Sequence, residues 1–150
     1  MFNARVETLA TKSAFKDPLM HRRCLVLADA FYEWKAEGKR KIPHIVQTED
    51  GSPFAMAGLF DTWTSPDGEV FESCTVITRE AAGDVAAIHT RMPVVLESGE
   101  HDFWLEPGER DPSRLVEFLG ASARTAFAVM PIAQVPTDGH RVAGQLKLFE

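Results

Sequence analysis

Apolar, strand-like runs separated by glycine-containing turns fill the first half of the chain and restrict it to a sheet-rich fold. The runs cover residues 24–35, 42–47, 54–60 and 70–78. The first run is long enough for one strand or two consecutive strands. EDG at residues 49–51 and SPDG at residues 65–68 separate the later runs, and a glycine after aspartate readily adopts the positive φ of a hairpin turn. Two hairpins in succession predict an antiparallel meander.

Helical patterns flank these runs. They predict a helix or irregular segment at residues 11–23 with a turn or helix start at Pro18, a helix at 79–87, a short helix with Ser98 as N-cap, and a helix at 113–119 that stops at Gly120. Further strands are predicted at residues 92–96 and 127–130. The chain is therefore predicted to adopt an α+β fold, with a mainly antiparallel, barrel-like sheet and a few short helices.

Size and composition indicate a single domain without a membrane segment. A chain of 150 residues can bury a hydrophobic core, and its 45% hydrophobic and 25% charged residues are ordinary for a soluble globular protein. No run approaches the roughly 18 apolar residues that a membrane-spanning helix needs. The amino terminus also lacks the features of a signal peptide. A cytoplasmic location with no membrane partner is therefore expected.

The charge is unevenly distributed along the chain. The formal net charge is −6, which argues against a general nucleic-acid binder. Residues 1–41, however, contain nine Lys or Arg and five Asp or Glu, whereas residues 42–150 contain seven and seventeen. A basic surface beside an active site can still bind phosphate, because fields are local and are screened over about 10 Å.

Neither cysteine nor histidine spacing indicates a metal site. Cys24 and Cys74 lie in apolar runs without a CxxC pattern, and we interpret them as reduced core thiols. The sequence has no HExxH motif, Cys/His cluster or Asp-rich loop. No metal and no cofactor are therefore predicted.

The sequence FYEW at residues 31–34 places a carboxylate among aromatic residues. If this segment is a strand, Glu33 lies on the same face as Phe31. An apolar environment disfavours the charged carboxylate, so the pKa of Glu33 should rise toward the range useful for general acid–base catalysis. The alternative is a purely structural pairing of Glu33 with Arg5 or Arg91.

The sequence NARVET at residues 3–8 offers an amide and a guanidinium close together. If this segment is a strand, Asn3, Arg5 and Glu7 share one face, where the arginine could bind phosphate. Taken alone, the same residues are equally typical of a turn and a solvated charge.

The sequence HTRMP at residues 89–93 offers an imidazole next to an ordered turn. Pro93 cannot donate a hydrogen bond within a sheet, so the stretch is predicted to enter an edge strand. A lone histidine is more often a structural residue, but near a carboxylate of raised pKa His89 becomes a candidate proton carrier.

Together, NARVET, YEW at residues 32–34 and HTRMP resemble the ordered motifs of the SOS-response-associated peptidase (SRAP) family. The order and spacing of the motifs also fit, so the resemblance covers nearly the whole chain. Members of this family shield abasic sites in single-stranded DNA by forming a covalent DNA–protein crosslink. The resemblance therefore implies a role in the DNA damage response, with single-stranded DNA that contains abasic sites as the partner.

The resemblance also implies roles for individual residues. The family nucleophile is an amino-terminal cysteine whose amine attacks the ring-opened abasic aldehyde and whose thiol then closes a thiazolidine ring. Asn3 would position this cysteine, Glu33 would promote ring opening and imine formation by proton transfer, and His89 would assist proton transfer and crosslink reversal. The candidates for DNA contact are Arg5, Arg91, Trp34 and Thr78.

The chain departs from the family pattern at its start. Family members carry a longer segment before the NAR motif that opens with Met-Cys-Gly-Arg, whereas Met1 is followed here by Phe2. We expect an N-terminally truncated SRAP-like domain, either from a gene start set too far downstream or as a truncated paralogue. Such a domain cannot make the thiazolidine by the family route. It would expose a sheet edge through which copies self-associate or lose stability.

Three functions therefore stay open at the level of sequence. The first is abasic-site processing by crosslinking or lyase chemistry. The second is a non-catalytic remnant that binds single-stranded DNA through Arg5 and its aromatic residues. The third is the peptidase activity that the family's name records, so whether this chain is an enzyme is left open.

Overall fold

The computed structural model describes residues 3–122 and 124–135, which fold into strands and short helices. The strands are β1 (Asn3–Arg5), β2 (Arg23–Ala28), β3 (Ala30–Glu37), β4 (Arg40–Gln47), β5 (Phe54–Thr64), β6 (Val70–Glu80), β7 (Arg91–Pro93), β8 (Val95–Leu96) and β9 (Ala128–Pro131). The α-helices are α1 (Ser13–His21), α2 (His101–Leu105) and α3 (Pro112–Ala121), and 3-10 helices lie at Val6–Thr8, Gly83–Ala87 and Ser98–Glu100. The predicted α+β class is confirmed.

The strands divide between a large sheet and a small sheet. The large sheet has the order β1-β6-β5-β2, with β7 paired to β6 and β8 paired to β5. Its β1 and β6 are parallel, and its other pairs are antiparallel. The small sheet has the antiparallel order β3-β4-β9. The sheets are thus mainly antiparallel, as predicted, but the strands do not form one meander.

Alternating side chains of the large sheet build a core on each of its faces. On one face Val76 packs in a cluster with Phe31 of the small sheet. On the other face Ile77 packs in a cluster with Trp104 and Leu115 of the helices. The protein therefore has three layers, with the large sheet between the helices and the small sheet. The space between the two sheets receives inward-facing residues from both.

The segment around Pro93, predicted as an edge strand, lies between two strands instead. The N–H of Val94 donates to the carbonyl of Ile77 at 2.9 Å, and its carbonyl accepts the N–H of Ala57 at 2.9 Å. Residues 91–96 thus fill the gap where β5 and β6 diverge. The edge-strand prediction is wrong because Val94 makes both inter-strand bonds, so the missing N–H of its neighbour is tolerated.

Of the two predicted hairpins, the first is wrong and the second is confirmed. The EDG turn at residues 49–51 connects β4 of the small sheet to β5 of the large sheet, which do not pair. Asp50 shapes this crossing, because its Oδ1 accepts the N–H and the hydroxyl of Ser52 at 3.0 and 2.7 Å. The SPDG turn does join paired strands, β5 and β6, with Gly68 at φ +87°. A turn signal marks a change of direction but does not specify which sheet the next strand joins.

Two helix starts also differ from prediction. Pro18 lies inside α1. It is tolerated there because Ala14, whose carbonyl loses its partner, is exposed to water. Ser98 is not an N-cap, since Glu97 takes that position and forms a capping box with Glu100.

The other two helix predictions are confirmed only in part. Gly120 lies within α3 near its end and does not stop it. The predicted helix at residues 79–87 is reduced to the 3-10 helix Gly83–Ala87, because β6 continues to Glu80. No helix in the described ranges is long and apolar enough to cross a membrane.

Candidate active site between the two sheets

Glu33 and His89 meet between the two sheets. Glu33 lies on β3, is 2% exposed, and faces the large sheet on the same side as Phe31, as the alternation predicted. His89 lies in the loop between the Gly83–Ala87 helix and β7, with its Nε2 3.7 Å from Oε1 of Glu33. A carboxylate and an imidazole at this separation form an ion pair when the histidine is protonated, and they can act together as acid and base.

The buried position controls the protonation of Glu33. Burial raises the pKa of Glu33, while the N–H of Trp34, the imidazole of His89 and the ammonium of Lys41 oppose the rise. The N–H of Trp34 donates to Oε1 at 3.1 Å. Oε2 is buried and has no hydrogen-bond partner among the described residues. This oxygen is therefore an acceptor with unused hydrogen-bonding capacity inside the layer between the sheets.

The backbone of Arg91 can serve both protonation states of His89. Nδ1 of the imidazole lies 3.1 Å from both the amide nitrogen and the carbonyl oxygen of Arg91. A neutral imidazole that accepts the N–H at Nδ1 carries its proton on Nε2, the atom nearest Glu33. An imidazolium would donate from Nδ1 to the carbonyl instead. The side chain is 26% exposed, so a substrate can reach it.

β1 brings Asn3 to the same layer. Asn3 is in register with Val76, and paired residues of neighbouring strands face the same side of a sheet. Val76 belongs to the core between the sheets, so Asn3 faces the small sheet, as Glu33 faces the large one. Oδ1 of Asn3 is also buried without a hydrogen-bond partner in the part of the chain that the structure describes. The three predicted catalytic residues thus point into one layer.

The other residues predicted to contact DNA lie around this layer and differ in their exposure to solvent. Arg5 is exposed at the end of β1. Thr78, in register with Arg5, is 1% exposed, and its hydroxyl donates to the carbonyl of Ala4 at 3.2 Å. This bond holds β1 on β6. Trp34 is half-buried on the face of β3 opposite Glu33.

Arg91 is bound to a carboxylate of the protein itself. Its Nη1 and Nη2 donate to the two carboxylate oxygens of Glu7 at 2.6 and 3.0 Å, and Nη2 also donates to the carbonyl of Thr78 at 2.8 Å. The alternative of a structural Arg91–Glu33 pair is therefore wrong. Glu7 does not continue a strand from Asn3 either, since it lies in the Val6–Thr8 helix after β1 ends.

His44 is a neighbour of the site that motif reasoning did not identify. It lies on β4 directly opposite Glu33, is 8% exposed, and has its Nδ1 2.9 Å from the carbonyl of Ile42. Cross-strand neighbours on one face have Cβ atoms about 5 Å apart. Counting back from a turn at Gly38 would have found this pair, since Gly38 joins β3 to β4 with φ +60°.

The described residues form neither a cluster of metal ligands nor an activated thiol at this site. No group of three or more His, Cys, Asp or Glu side chains that could hold a metal lies within residues 3–122 and 124–135. Burial, with a contribution from Cys74, raises the pKa of the Cys24 thiol to about 11, so it is not a thiolate at neutral pH. Cys74 itself was expected in the core but is exposed, because its part of the β5–β6 hairpin extends beyond the layers.

The layered α+β fold and the buried carboxylate–imidazole pair define a class of protein with a candidate acid–base site between two sheets. The chain belongs to the SOS response associated peptidase (SRAP) family, whose model matches residues 1–136. The expectation from the three motifs is thereby confirmed.

Individual relatives and solved structures agree with this assignment. The abasic site processing protein YoqW of Bacillus subtilis is 42% identical over 142 residues, which are 92% of this chain and 63% of YoqW. The abasic site processing protein HMCES of Gallus gallus is 34% identical over 146 residues, with 83% of this chain and 44% of HMCES covered. The chain thus spans less than two thirds of the length of these relatives.

Among solved structures, a protein from Bacteroides thetaiotaomicron has a TM-score of 0.73 at 33% identity, covering 78% of this chain and 52% of that one. A phage-related protein from Bordetella bronchiseptica has a TM-score of 0.71 at 30% identity, covering 89% of this chain and 64% of that one.

Proposed function

We propose that this protein acts on abasic sites in single-stranded DNA in the response to DNA damage, with Glu33 and His89 as its proton-transfer pair. The observation that carries the proposal is the buried Glu33 carboxyl, with its raised pKa, 3.7 Å from the half-buried imidazole of His89. Membership of the SRAP family and the names of the relatives YoqW and HMCES support the choice of substrate. A cytoplasmic location is part of the same proposal.

The step assigned to this pair is the opening of the abasic sugar. A deoxyribose without its base is a cyclic hemiacetal. One group of the pair takes the proton of the C1′ hydroxyl while the other gives a proton to the ring oxygen O4′. The C1′–O4′ bond then breaks, which leaves an aldehyde at C1′ and a hydroxyl at C4′. Glu33 and His89, one protonated and one not, supply both functions, and a proton passing between them restores the starting state.

The residues around the pair are proposed to hold the DNA. Arg5 is the exposed cation at the end of β1 and would contact a phosphate. Trp34 offers an aromatic surface on which a base can stack. Thr78 and Arg91 would act on DNA binding indirectly, by holding β1 and the Val6–Thr8 helix in place. In a form that carried the family's amino-terminal cysteine, Asn3 would position that residue, with its unpaired Oδ1 accepting a hydrogen bond from the cysteine's amine.

We expect the chain to react with single-stranded DNA that contains one abasic site. A denaturing gel separates the outcomes. A heat-stable shifted band reports a crosslink, and strand cleavage without a shift reports lyase chemistry. An intact, unshifted strand that is retained only on a native gel in low salt supports the non-catalytic binder and overturns the catalytic proposal.

Replacing Arg5 with alanine should weaken binding to single-stranded DNA of any sequence and lower the slope of log K against log salt by about 1. Because Arg5 is exposed, the fold should be unaffected. Fluorescence anisotropy at several salt concentrations measures this slope. Lys16→Ala, an exposed cation on α1 in the helical layer, is the control and should leave both values near those of the parent chain. Equal effects of the two changes would mean that only total charge matters.

A peptidase activity is the second candidate, and the family's description favours it. Glu33 and His89 could in principle also serve amide hydrolysis. Turnover of a labelled peptide mixture that disappears on Glu33→Gln, with no reaction on abasic-site DNA, would select this candidate over the first.

We also propose self-association through the outer edge of β2, on which no strand of the described residues pairs. β2 is the last strand of the large sheet, its sequence RCLVLA has a single charge, and Leu27 on it is 69% exposed. Charged residues protect sheet edges from pairing, and this edge has almost none. Size-exclusion chromatography with light scattering should show a dimer or larger species that Leu27→Lys converts to a monomer. Leu105→Lys, at a 44% exposed leucine on α2, should not do so. A parent chain that is monomeric at high concentration would contradict the proposal.

A further inference from the structure

One side chain connects the segment that carries Asn3 to the segment that carries His89. Arg91 follows His89 by two residues, and its guanidinium reaches across β6 to the carboxylate of Glu7. Glu7 lies directly after β1 in the Val6–Thr8 helix. Two motifs far apart in sequence are thus joined by one bidentate ion pair.

The geometry of this pair is specific. A bidentate arginine–carboxylate contact fixes both the position and the plane of the guanidinium. A third bond, from Nη2 to the carbonyl of Thr78 at 2.8 Å, orients the same group from the β6 side. The side chain of Arg91 is only 16% exposed, whereas that of Glu7 is 52% exposed. The arginine is therefore held from both sides, with water reaching mainly the carboxylate.

The backbone of Arg91 contacts the imidazole of His89, so the position of Arg91 affects the orientation of the ring. Both the amide nitrogen and the carbonyl oxygen of Arg91 lie 3.1 Å from Nδ1 of His89. If the guanidinium lost its anchor, the peptide groups that orient the ring would be held only by the pairing of β7 with β6 and would have more freedom to shift. A misplacement of about 1 Å at a catalytic group can cost about 100-fold in rate.

We propose that Glu7 is a positioning residue which, through Arg91, holds His89 toward Glu33 and holds β1, with Asn3, against the same site. The role as it bears on catalysis rests on the proposed function. It also gives Arg91 a different task from DNA contact, because a phosphate could bind Nη1 and Nη2 together only by displacing Glu7.

Glu7→Gln tests this proposal, since it keeps the shape of the side chain and removes its charge. Long-range ¹H–¹⁵N NMR spectra of the His89 ring should change from the pattern of one tautomer to an averaged pattern. The single-turnover rate on abasic-site DNA should fall about tenfold or more, while the affinity for intact single-stranded DNA changes less than twofold. Glu7→Asp, which keeps the charge, should recover part of the rate.

Glu109→Gln is the matched control. It breaks the Arg114–Glu109 ion pair, also 2.6 Å long, away from the site. Circular dichroism melts show whether either variant is folded. Unchanged ring spectra of His89 in folded Glu7→Gln overturn the positioning role. Tighter DNA binding by Glu7→Gln with unchanged ring spectra would also overturn it, and would make Arg91 a phosphate-binding residue.

The failure of the proposed function is distinguishable from the failure of this inference. If the parent chain shows no reaction on abasic-site DNA, the proposed function fails. The ring spectra of His89 in the two variants still report whether Glu7 holds the imidazole.

Discussion

Replacing Glu33 with glutamine is expected to lower the single-turnover rate on abasic-site DNA by about 10² to 10⁴-fold, the usual contribution of a general acid–base group. Glutamine keeps the shape of the side chain and its place opposite His44 but cannot carry a proton between donor and acceptor atoms. Rapid-quench sampling, followed by a denaturing gel, measures the rate. Glu37→Gln is the control, because Glu37 lies on the same strand but is exposed and pairs with Lys35 at 3.5 Å. A rate for Glu33→Gln within twofold of the parent chain would remove Glu33 from the mechanism.

The same substitution should alter the dependence of stability on pH. The pKa of Glu33 in the folded protein is raised by burial above its ordinary value near 4.5. At pH values between 4.5 and the raised pKa of Glu33, the folded state binds more protons than the unfolded state. The free energy of unfolding therefore falls as pH rises through this window. The parent chain should therefore lose stability relative to Glu33→Gln as the pH increases above about 4.5. Urea titrations over a pH series measure the difference, and a difference that grows as pH falls would contradict the raised pKa.

The largest loss of stability is expected from replacing Gly83 with alanine. Gly83 has φ +57°, and a Cβ there would clash with the carbonyl oxygen of Thr125. Alanine at this position would be strained by the left-handed conformation and would also force the backbone of Thr125 to move. The free energy of unfolding should therefore fall by more than about 2 kcal/mol. For a protein of this size the melting temperature should drop by at least about 4–8 °C. Differential scanning calorimetry measures both quantities.

Gly38→Ala separates the two contributions to this loss. Gly38 has nearly the same φ, +60°, but an added Cβ would have no atom within 4 Å. Its replacement should cost only the conformational term of about 1–2 kcal/mol. Equal losses of unfolding free energy in the two variants would mean that the backbone of Thr125 moves away from the added Cβ without a loss of stability.

Gly83 also affects the position of His89 in the candidate site. It begins the helix Gly83–Ala87, whose Val85 is fully buried and accepts the N–H of His89 at 3.0 Å. A shift of this helix would therefore move the imidazole relative to Glu33. We expect the variant to lose activity even at temperatures where it is folded.

Local pattern was sufficient for the features that depend on neighbouring residues. The period-two alternation around Glu33 correctly predicted a buried carboxylate, because a strand places alternate side chains on opposite faces whatever it pairs with. The SPDG turn correctly predicted the β5–β6 hairpin. The three motifs correctly predicted the family.

Local sequence patterns did not predict which strands pair with each other. The EDG turn was assigned to a hairpin, but β4 pairs with β3 across a turn at Gly38, which carried a weaker signal. Pro93 was assigned to an edge because nothing in its own sequence shows that Val94 bridges two strands. These choices depend on the packing of whole sheets.

The sequence by itself determined that Glu33 is buried beside Phe31, which residues are chemically able, and to which family the chain belongs, because alternation and motif order are properties of the chain alone. Only the tertiary structure decided which groups meet. The fold places His89 3.7 Å from Glu33 and pairs Arg91 with Glu7. Ion pairs between distant segments depend on strand order and register, which long-range packing sets. The contact between Glu33 and His89 is therefore a product of the fold, made by two residues that the sequence analysis had already identified as candidates.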